Sequence, residues 1–259
     1  RKMKTLTITV AVLICCSVAT AKPKQKNIVI IQSDDVGFYD YSFRGSTEIP
    51  TPNIDALAYN GIIMDRFYTA PLCTPSRGSL MTAKYPHHIG LQHNVQWNDE
   101  PWGLGLQHKI FPEYFKEAGY NTHLVGKWHL GMHKKAYTPT QRGFDTHFGF
   151  LGPWTDYFNH TFIMYNRNYS RGLDLHENLE IPAEDYTGEY ATDLYTRKAV
   201  EVIDGQSKDK PFFLLLNQMA CHTGNDDFPL QAKPEDLARF PHITNPKRKL
   251  YAGRSLNPI

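Results

Sequence analysis

Cysteine is scarce in this chain of 259 residues, with four in all. Cys15 and Cys16 fall in an apolar leader, which leaves Cys73 and Cys221, too few for the disulfide scaffold that stands in for a core in small secreted domains. A single Cys73–Cys221 bridge is the plain alternative. Charge of one sign is also lacking: 28 Lys and Arg face 26 Asp and Glu, a formal +2 spread along the whole length. That leaves no basic footprint for a nucleic acid. No HExxH spacing occurs, which excludes that kind of zinc site. Internal repeats and low-complexity tracts are absent. No apolar run reaches the roughly 20 residues that a membrane span needs. What remains is a balanced chain long enough for one large domain.

Arg1 and Lys2 precede Met3, which reads as a natural start. From there Lys4, an apolar run over 6–18 and the small triplet Ala19-Thr20-Ala21 ahead of Lys22-Pro23-Lys24 have the layout of a cleaved secretory signal. Residues 1–21 are therefore assigned to a signal region and 22–259 to the folded part. A membrane anchor is the competing reading, opposed by the shortness of the run and its threonines. Two glycosylation sequons, Asn159-His160-Thr161 and Asn168-Tyr169-Ser170, suit the same compartment and are expected on a surface loop.

Periodicity gives an α/β pattern. The run over 27–32 is apolar and β-branched, as in a strand buried on both faces of a parallel sheet, and it ends in Asp34-Asp35. Thr51-Pro52 opens a helix through Ile54, Leu57 and Ala58, closed by Gly61, with a strand over 62–68 expected after it. Phe111-Pro112 starts another helix, followed by a strand over 121–125. Tyr190, Leu194, Ala199, Val202 and Ile203 mark the apolar face of a helix over 189–204, and the strand after Pro211 is wholly apolar. Strands alternating with helices imply a central, mostly parallel sheet flanked by helices. The stretch over 137–188, rich in Gly, Pro, Asn and aromatics, reads as long excursions above the sheet.

Four polar clusters follow these strands or turns, where open α/β sheets gather ligands. Asp34 and Asp35 repel one another unless a cation lies beside them, and a hard ion such as calcium serves; a solvated turn is the bland reading. Cys73-Thr74-Pro75-Ser76-Arg77 places Cys73 near the start of a helix through Leu80 and Met81, whose N–H groups favour an anion, with Arg77 one turn in. Gly126-Lys127-Trp128-His129-Leu130-Gly131 puts Lys127 and His129 on one face if the segment is extended. Cys221-His222-Thr223-Gly224 closes the set. His87, His88 and His93 read as structural or surface residues.

The segment from Cys73 to Arg77 matches the sulfatase signature, and the segment from Gly126 to Gly131 matches the second motif of that family. Gly90-Leu91-Gln92-His93, the segment from Phe115 to Tyr120 and that from Pro139 to Asp145 resemble arylsulfatase B and its close relatives, so the likeness runs over roughly 25–252. The resemblance implies an alkaline-phosphatase-like sandwich, incomplete here, that hydrolyses sulfuric esters on sulfated glycosaminoglycan sugars in the lysosome or outside the cell. It implies that a formylglycine-generating enzyme oxidises Cys73, and that the hydrated aldehyde attacks sulfur. By position, Asp34, Asp35 and residue 73 would hold calcium, Arg77 and Lys127 would stabilise the charge, His129 would act as base and His222 would contact sulfate or the leaving group. Family members continue into a strand with an Asp-Asn pair that completes the calcium site and a further lysine. Their absence here implies a weak or empty calcium site, an unpaired sheet edge and little or no activity. The family's cysteine-rich pattern is missing over 97–137, so its disulfides are not carried over. Two alternatives stand beside this reading: a phosphatase or phosphodiesterase of the same superfamily, and a non-catalytic secreted glycoprotein that binds sulfated glycans or the full-length enzyme.

Overall fold

The computed structural model of the chain describes residues 25–164, 169–180 and 186–254. The signal region over 1–21 and the sequon residue Asn168 lie outside them. In chain order the strands are β1 (Ile28–Gln32), β2 (Asn121–Gly126), β3 (Thr146–Gly149), β4 (Thr161–Met164), β5 (Ser170–Leu173), β6 (His176–Glu177) and β7 (Phe212–Asn217). The main sheet has the order β1-β7-β2-β3-β6, parallel except for β6, while β4 and β5 pair separately. The helices are α1 (Pro52–Tyr59), α2 (Cys73–Thr82), α3 (Phe111–Glu117), α4 (Ala191–Asp204), α5 (Pro234–Ala238) and α6 (Pro246–Arg254).

The apolar run of β7 is buried along its whole length because it is central and covered on both faces. Side chains alternate across the sheet. Phe212, Leu214 and Leu216 join Val125 and the α4 residues Leu194, Tyr195 and Ala199 on one face. Phe213 and Leu215 join Leu124, Trp128, Ile110 and Met81 on the other. A third, smaller cluster of Ile49, Phe240, Ile243 and Ala252 fixes α6 against the loop that follows β1.

Four expectations need correction. No strand forms over 62–68; Ile62 and Tyr68 are 92% and 87% exposed, because the segment finds no pairing edge. The stretch over 137–188 is not simply an excursion above the sheet: it supplies β3, which extends the main sheet, and it buries Tyr157, His160 and Phe162. Ile203 is 42% exposed, since it lies one residue further round α4 than Val202, which packs partly on the core. Nor is β1 buried on both faces: it is the edge strand, with no strand on its outer side among the described residues, and Val29 and Ile31 are 43% and 45% exposed. Among the described residues no helix is long and apolar enough to cross a membrane.

Candidate active site

Three adjacent parallel strands end level, with Gln32 opposite Asn217 and Asn217 opposite Gly126. The chain leaving each strand delivers one part of the site: Asp34-Asp35 after β1, Lys127 and His129 after β2, and Cys221-His222 after β7. The Asp34 N–H donates to the carbonyl oxygen of Ala220 (3.1 Å), and the Cys221 N–H donates to that of Asp34 (2.6 Å). Asn217 holds the next loop: its oxygen accepts the Lys127 N–H (3.0 Å) and its Nδ2 donates to the Lys127 carbonyl (2.8 Å). Gly126 makes this approach possible. Its φ is +95°, and a Cβ there would run into the carbonyl of Asn217.

Helix α2 brings Cys73 over these strand ends. Cys73 is its first residue, after an extended Leu72, so the unpaired N–H groups of the first turn face outward from that end. Thr74 anchors the helix: its hydroxyl donates to the carbonyl of His129 (3.2 Å) and accepts the Gln96 N–H (3.0 Å).

At the base of the site Asp34 Oδ2 accepts from Lys127 Nζ (2.5 Å) and Arg77 Nη2 (3.2 Å), while Asp34 Oδ1 faces Cys73 Sγ at 3.5 Å. All three charged groups are buried. Burial alone would raise the Asp34 pKa, but Lys127 and Arg77 outweigh it and hold the carboxyl well below the usual range. One buried carboxylate against two buried cations leaves a positive surplus beside position 73, suited to an anion. Burial keeps Cys73 a protonated thiol by pushing its pKa up, against the pull of Lys127.

Both histidines are locked in one tautomer. A carbonyl oxygen can only accept, so the contact of His129 Nε2 with Gln96 O (2.8 Å) puts the proton on Nε2. Nδ1 keeps its lone pair and has no hydrogen-bond partner among the described residues. Burial, then Lys127 and Arg77, hold the His129 pKa well below its ordinary value, so the ring is neutral. His222 is held the other way round: Nδ1 donates to Thr223 O (2.7 Å) and the lone pair falls on Nε2, 3.7 Å from Asp35 Oδ2. Burial and Lys127 lower its pKa as well. Trp154 stacks on the His222 ring with centroids 5.4 Å apart.

The structure thus brings Asp34, Asp35, Cys73, Arg77, Lys127, His129 and His222 together, with one change to the sequence reading. Lys127 and His129 do not share a face of an extended segment: His129 has a φ of +59°, which turns it out of any strand alternation. Cys73 and Cys221 form no disulfide. Asn159 lies in a turn but is half-buried, its Oδ1 accepting the N–H (3.0 Å) and hydroxyl (2.5 Å) of Thr161. His87, His88 and His93 are on the surface, as expected. Sequence reasoning assigned no part to Thr74, Gln96, Asn217, Trp154, Tyr251 or Arg254. Asn217 alone left a signal, as the polar end of an otherwise apolar run. Arg254 donates to the carbonyl of His222 (2.8 Å), which also accepts from Tyr157 OH (2.7 Å), and Tyr251 OH donates to Asp40 Oδ2 (2.9 Å) and lies 3.3 Å from the carbonyl of Asp35. Helix α6 therefore steadies both loops that flank position 73.

Such a geometry defines an α/β protein whose buried charged groups converge on residue 73 at the carboxyl ends of parallel strands. The family model for sulfatases matches residues 26–252, and the chain belongs to the sulfatase family. It is 40% identical to arylsulfatase J of Mus musculus over 235 residues, 90% of this chain and 38% of that protein. It is 33% identical to an arylsulfatase of Klebsiella aerogenes, covering 92% of this chain and 50% of the relative. N-acetylgalactosamine-6-sulfatase of Mus musculus is 35% identical, over 79% of this chain and 41% of its own length. Among solved structures, Ps i-CgsB superposes with a TM-score of 0.78 at 38% identity, covering 90% of this chain and 52% of that one. A complex with D-glucosamine-2-N,6-O-disulfate gives 0.61 at 28% identity, covering 84% and 38%. The chain spans about two fifths to one half of the length of these relatives.

Proposed function

We propose that the chain carries the nucleophile half of a sulfuric ester hydrolase of arylsulfatase type, acting through formylglycine at position 73 and a calcium ion. The observation that carries this reading is the placement of Cys73 at the start of α2, 3.5 Å from Asp34 Oδ1, beside two buried cations. The donor set fits calcium in kind. Lys127 and Arg77 both bind Oδ2, which leaves Oδ1 facing position 73; a carboxylate oxygen of Asp35 lies within 4.8 Å of Sγ. An aldehyde oxygen in place of sulfur would join two carboxylates as a third hard donor, though calcium takes about six to eight. When bound, the ion supplies positive charge where negative charge develops.

The remaining work belongs to the chain's own side chains. Lys127 and Arg77 stabilise negative charge at residue 73 from a dry interior, where such charges act strongly. His129 holds a proton at Nε2 and accepts one at Nδ1. His222 presents Nε2 on the Asp35 side, in position to exchange a proton with a departing alcohol. The names of the relatives and the bound sugar of the solved complex support a sulfated amino sugar, as found in glycosaminoglycans. By the same reading, residues 22–259 are part of an N-terminal sulfatase domain delivered to the secretory pathway, lysosomal or extracellular. There a formylglycine-generating enzyme modifies Cys73, and glycans attach at Asn159 and Asn168.

Calcium-dependent sulfate release from an aryl sulfate, by chain whose residue 73 has been converted, tests the reading. Release that falls at least about 100-fold in Cys73→Ala and Lys127→Ala supports it. A second reading rests on the small number of oxygen donors: a secreted glycoprotein that binds sulfated glycans, or the full-length enzyme, without turnover. Saturable binding of a sulfated oligosaccharide with no release by the converted chain favours it.

A further inference from the structure

With Cys73 as a thiol, the same pocket offers a different set of donors. Cys73 Sγ, His222 Nε2 and an Asp35 carboxylate oxygen lie within 4.8 Å of one another. Sulfur, imidazole nitrogen and one carboxylate oxygen are the donors of a zinc-class ion, whereas calcium prefers oxygen alone. We infer that the unconverted chain binds a zinc-class divalent ion at Asp35, Cys73 and His222.

Three features favour the site beyond proximity. The His222 ring is already in the ligating tautomer: Nδ1 donates to the Thr223 carbonyl at 2.7 Å and Nε2 faces the other ligands. This is the outer hydrogen bond that metal-bound histidines carry. The backbone of His222 is fixed, its carbonyl held by Tyr157 and Arg254, while Tyr251 OH donates to Asp40 Oδ2 at 2.9 Å and lies 3.3 Å from the Asp35 carbonyl. Asp35, with its side chain 59% exposed, is the ligand able to swing. A tetrahedral ion with bonds of about 2.0–2.3 Å separates its ligand atoms by about 3.3–3.8 Å, a spacing that His222 Nε2 and Asp35 Oδ2 already meet at 3.7 Å. Three protein ligands leave one position open.

Binding replaces the thiol proton: the ion bonds to sulfur, the S–H bond breaks and the proton leaves to water, with no change of oxidation state. Conversion of Cys73 removes the soft donor, so the chemistry of residue 73 selects the ion, zinc-class before oxidation and hard afterwards. The inference does not require that the chain hydrolyse any ester.

Chain verified by mass to hold Cys73 as a thiol is titrated with Co2+, which reports thiolate ligation as a charge-transfer absorption in the near ultraviolet. The expected result is a saturating band, displaced by Zn2+ and not by Ca2+. It is absent in Cys73→Ser, at least about tenfold weaker in affinity in His222→Gln, and intact in Cys221→Ser, each variant first checked for folding by circular dichroism. A band that survives Cys73→Ser, or no band on folded chain, overturns the inference. A second readout needs no variant: Zn2+ slows alkylation of Cys73 by iodoacetamide and Ca2+ does not, and equal protection by both ions also overturns it. The two readings fail separately. An unconverted thiol at position 73 in correctly secreted chain removes the sulfatase proposal and leaves the cobalt result standing, and conversion without a cobalt band on the thiol form does the reverse.

Discussion

Asp34 binds both buried cations through one oxygen and faces Cys73 with the other, so its removal is felt in both directions. In Asp34→Asn, Lys127, which is 0% exposed, and Arg77 lose their counter-charge. We expect a loss of about 3–5 kcal/mol, the usual cost of breaking a buried pair from one side, measured by urea unfolding. Titration works at the same scale. His147, in β3, donates from Nε2 to the Gly126 carbonyl at 3.3 Å, and burial lowers its pKa to about 4. Between about pH 6.5 and 4 the unfolded chain binds a proton that folded His147 refuses, so stability falls as pH falls through that window. Asp34, whose folded pKa is also depressed, adds its loss only below the ordinary carboxylate value of 3.8. Thermal melts from pH 7 to 4 should show the slope, and His147→Gln should flatten part of it.

At the scale of the element, the site depends on three strands that end level and on the turns that follow them. Gly126→Ala forces a Cβ into the Asn217 carbonyl at a φ of +95°. We expect it to cost about 2–4 kcal/mol and to disturb Lys127, whose N–H and carbonyl both bond Asn217. Guanidinium unfolding of this variant measures the first effect. The apolar runs at 28–32 and 212–216, the place of 121–125 directly after a helix, and the prolines at 52 and 112 made β1, β7, β2, α1 and α3 legible, because core packing and fixed backbone angles leave marks in local sequence. The strand over 62–68 failed for the opposite reason: pairing depends on a partner edge that residues 62–68 do not encode. The site was readable where its residues sit in compact motifs after strands. Thr74, Gln96 and Arg254 act through contacts that no local pattern announces, such as Arg254 on the carbonyl of a residue 32 positions away. His129 was singled out in the sequence, but its left-handed backbone was not foreseen.

At the scale of the whole molecule, several apolar side chains face solvent: Val29 and Ile31 on β1, Leu57 and Tyr59 on α1, and Ile62, Met64 and Phe67 after it. An unpaired strand edge with exposed apolar side chains is a template for association. The folded chain should bind a hydrophobic dye and self-associate as its concentration rises, and Ile31→Lys should reduce both, as read by dye fluorescence and light scattering. A chain that stays monomeric and dark to the dye would show that these side chains are covered.

Everything proposed about catalysis passes through residue 73. Peptide mass spectrometry of the chain secreted from cells that carry the formylglycine-generating enzyme is therefore the most direct test. The account predicts that the peptide spanning Cys73 has lost the mass difference between a thiol and an aldehyde, while the peptide with Cys221 is unchanged. An unmodified thiol at Cys73 in correctly secreted chain would contradict it.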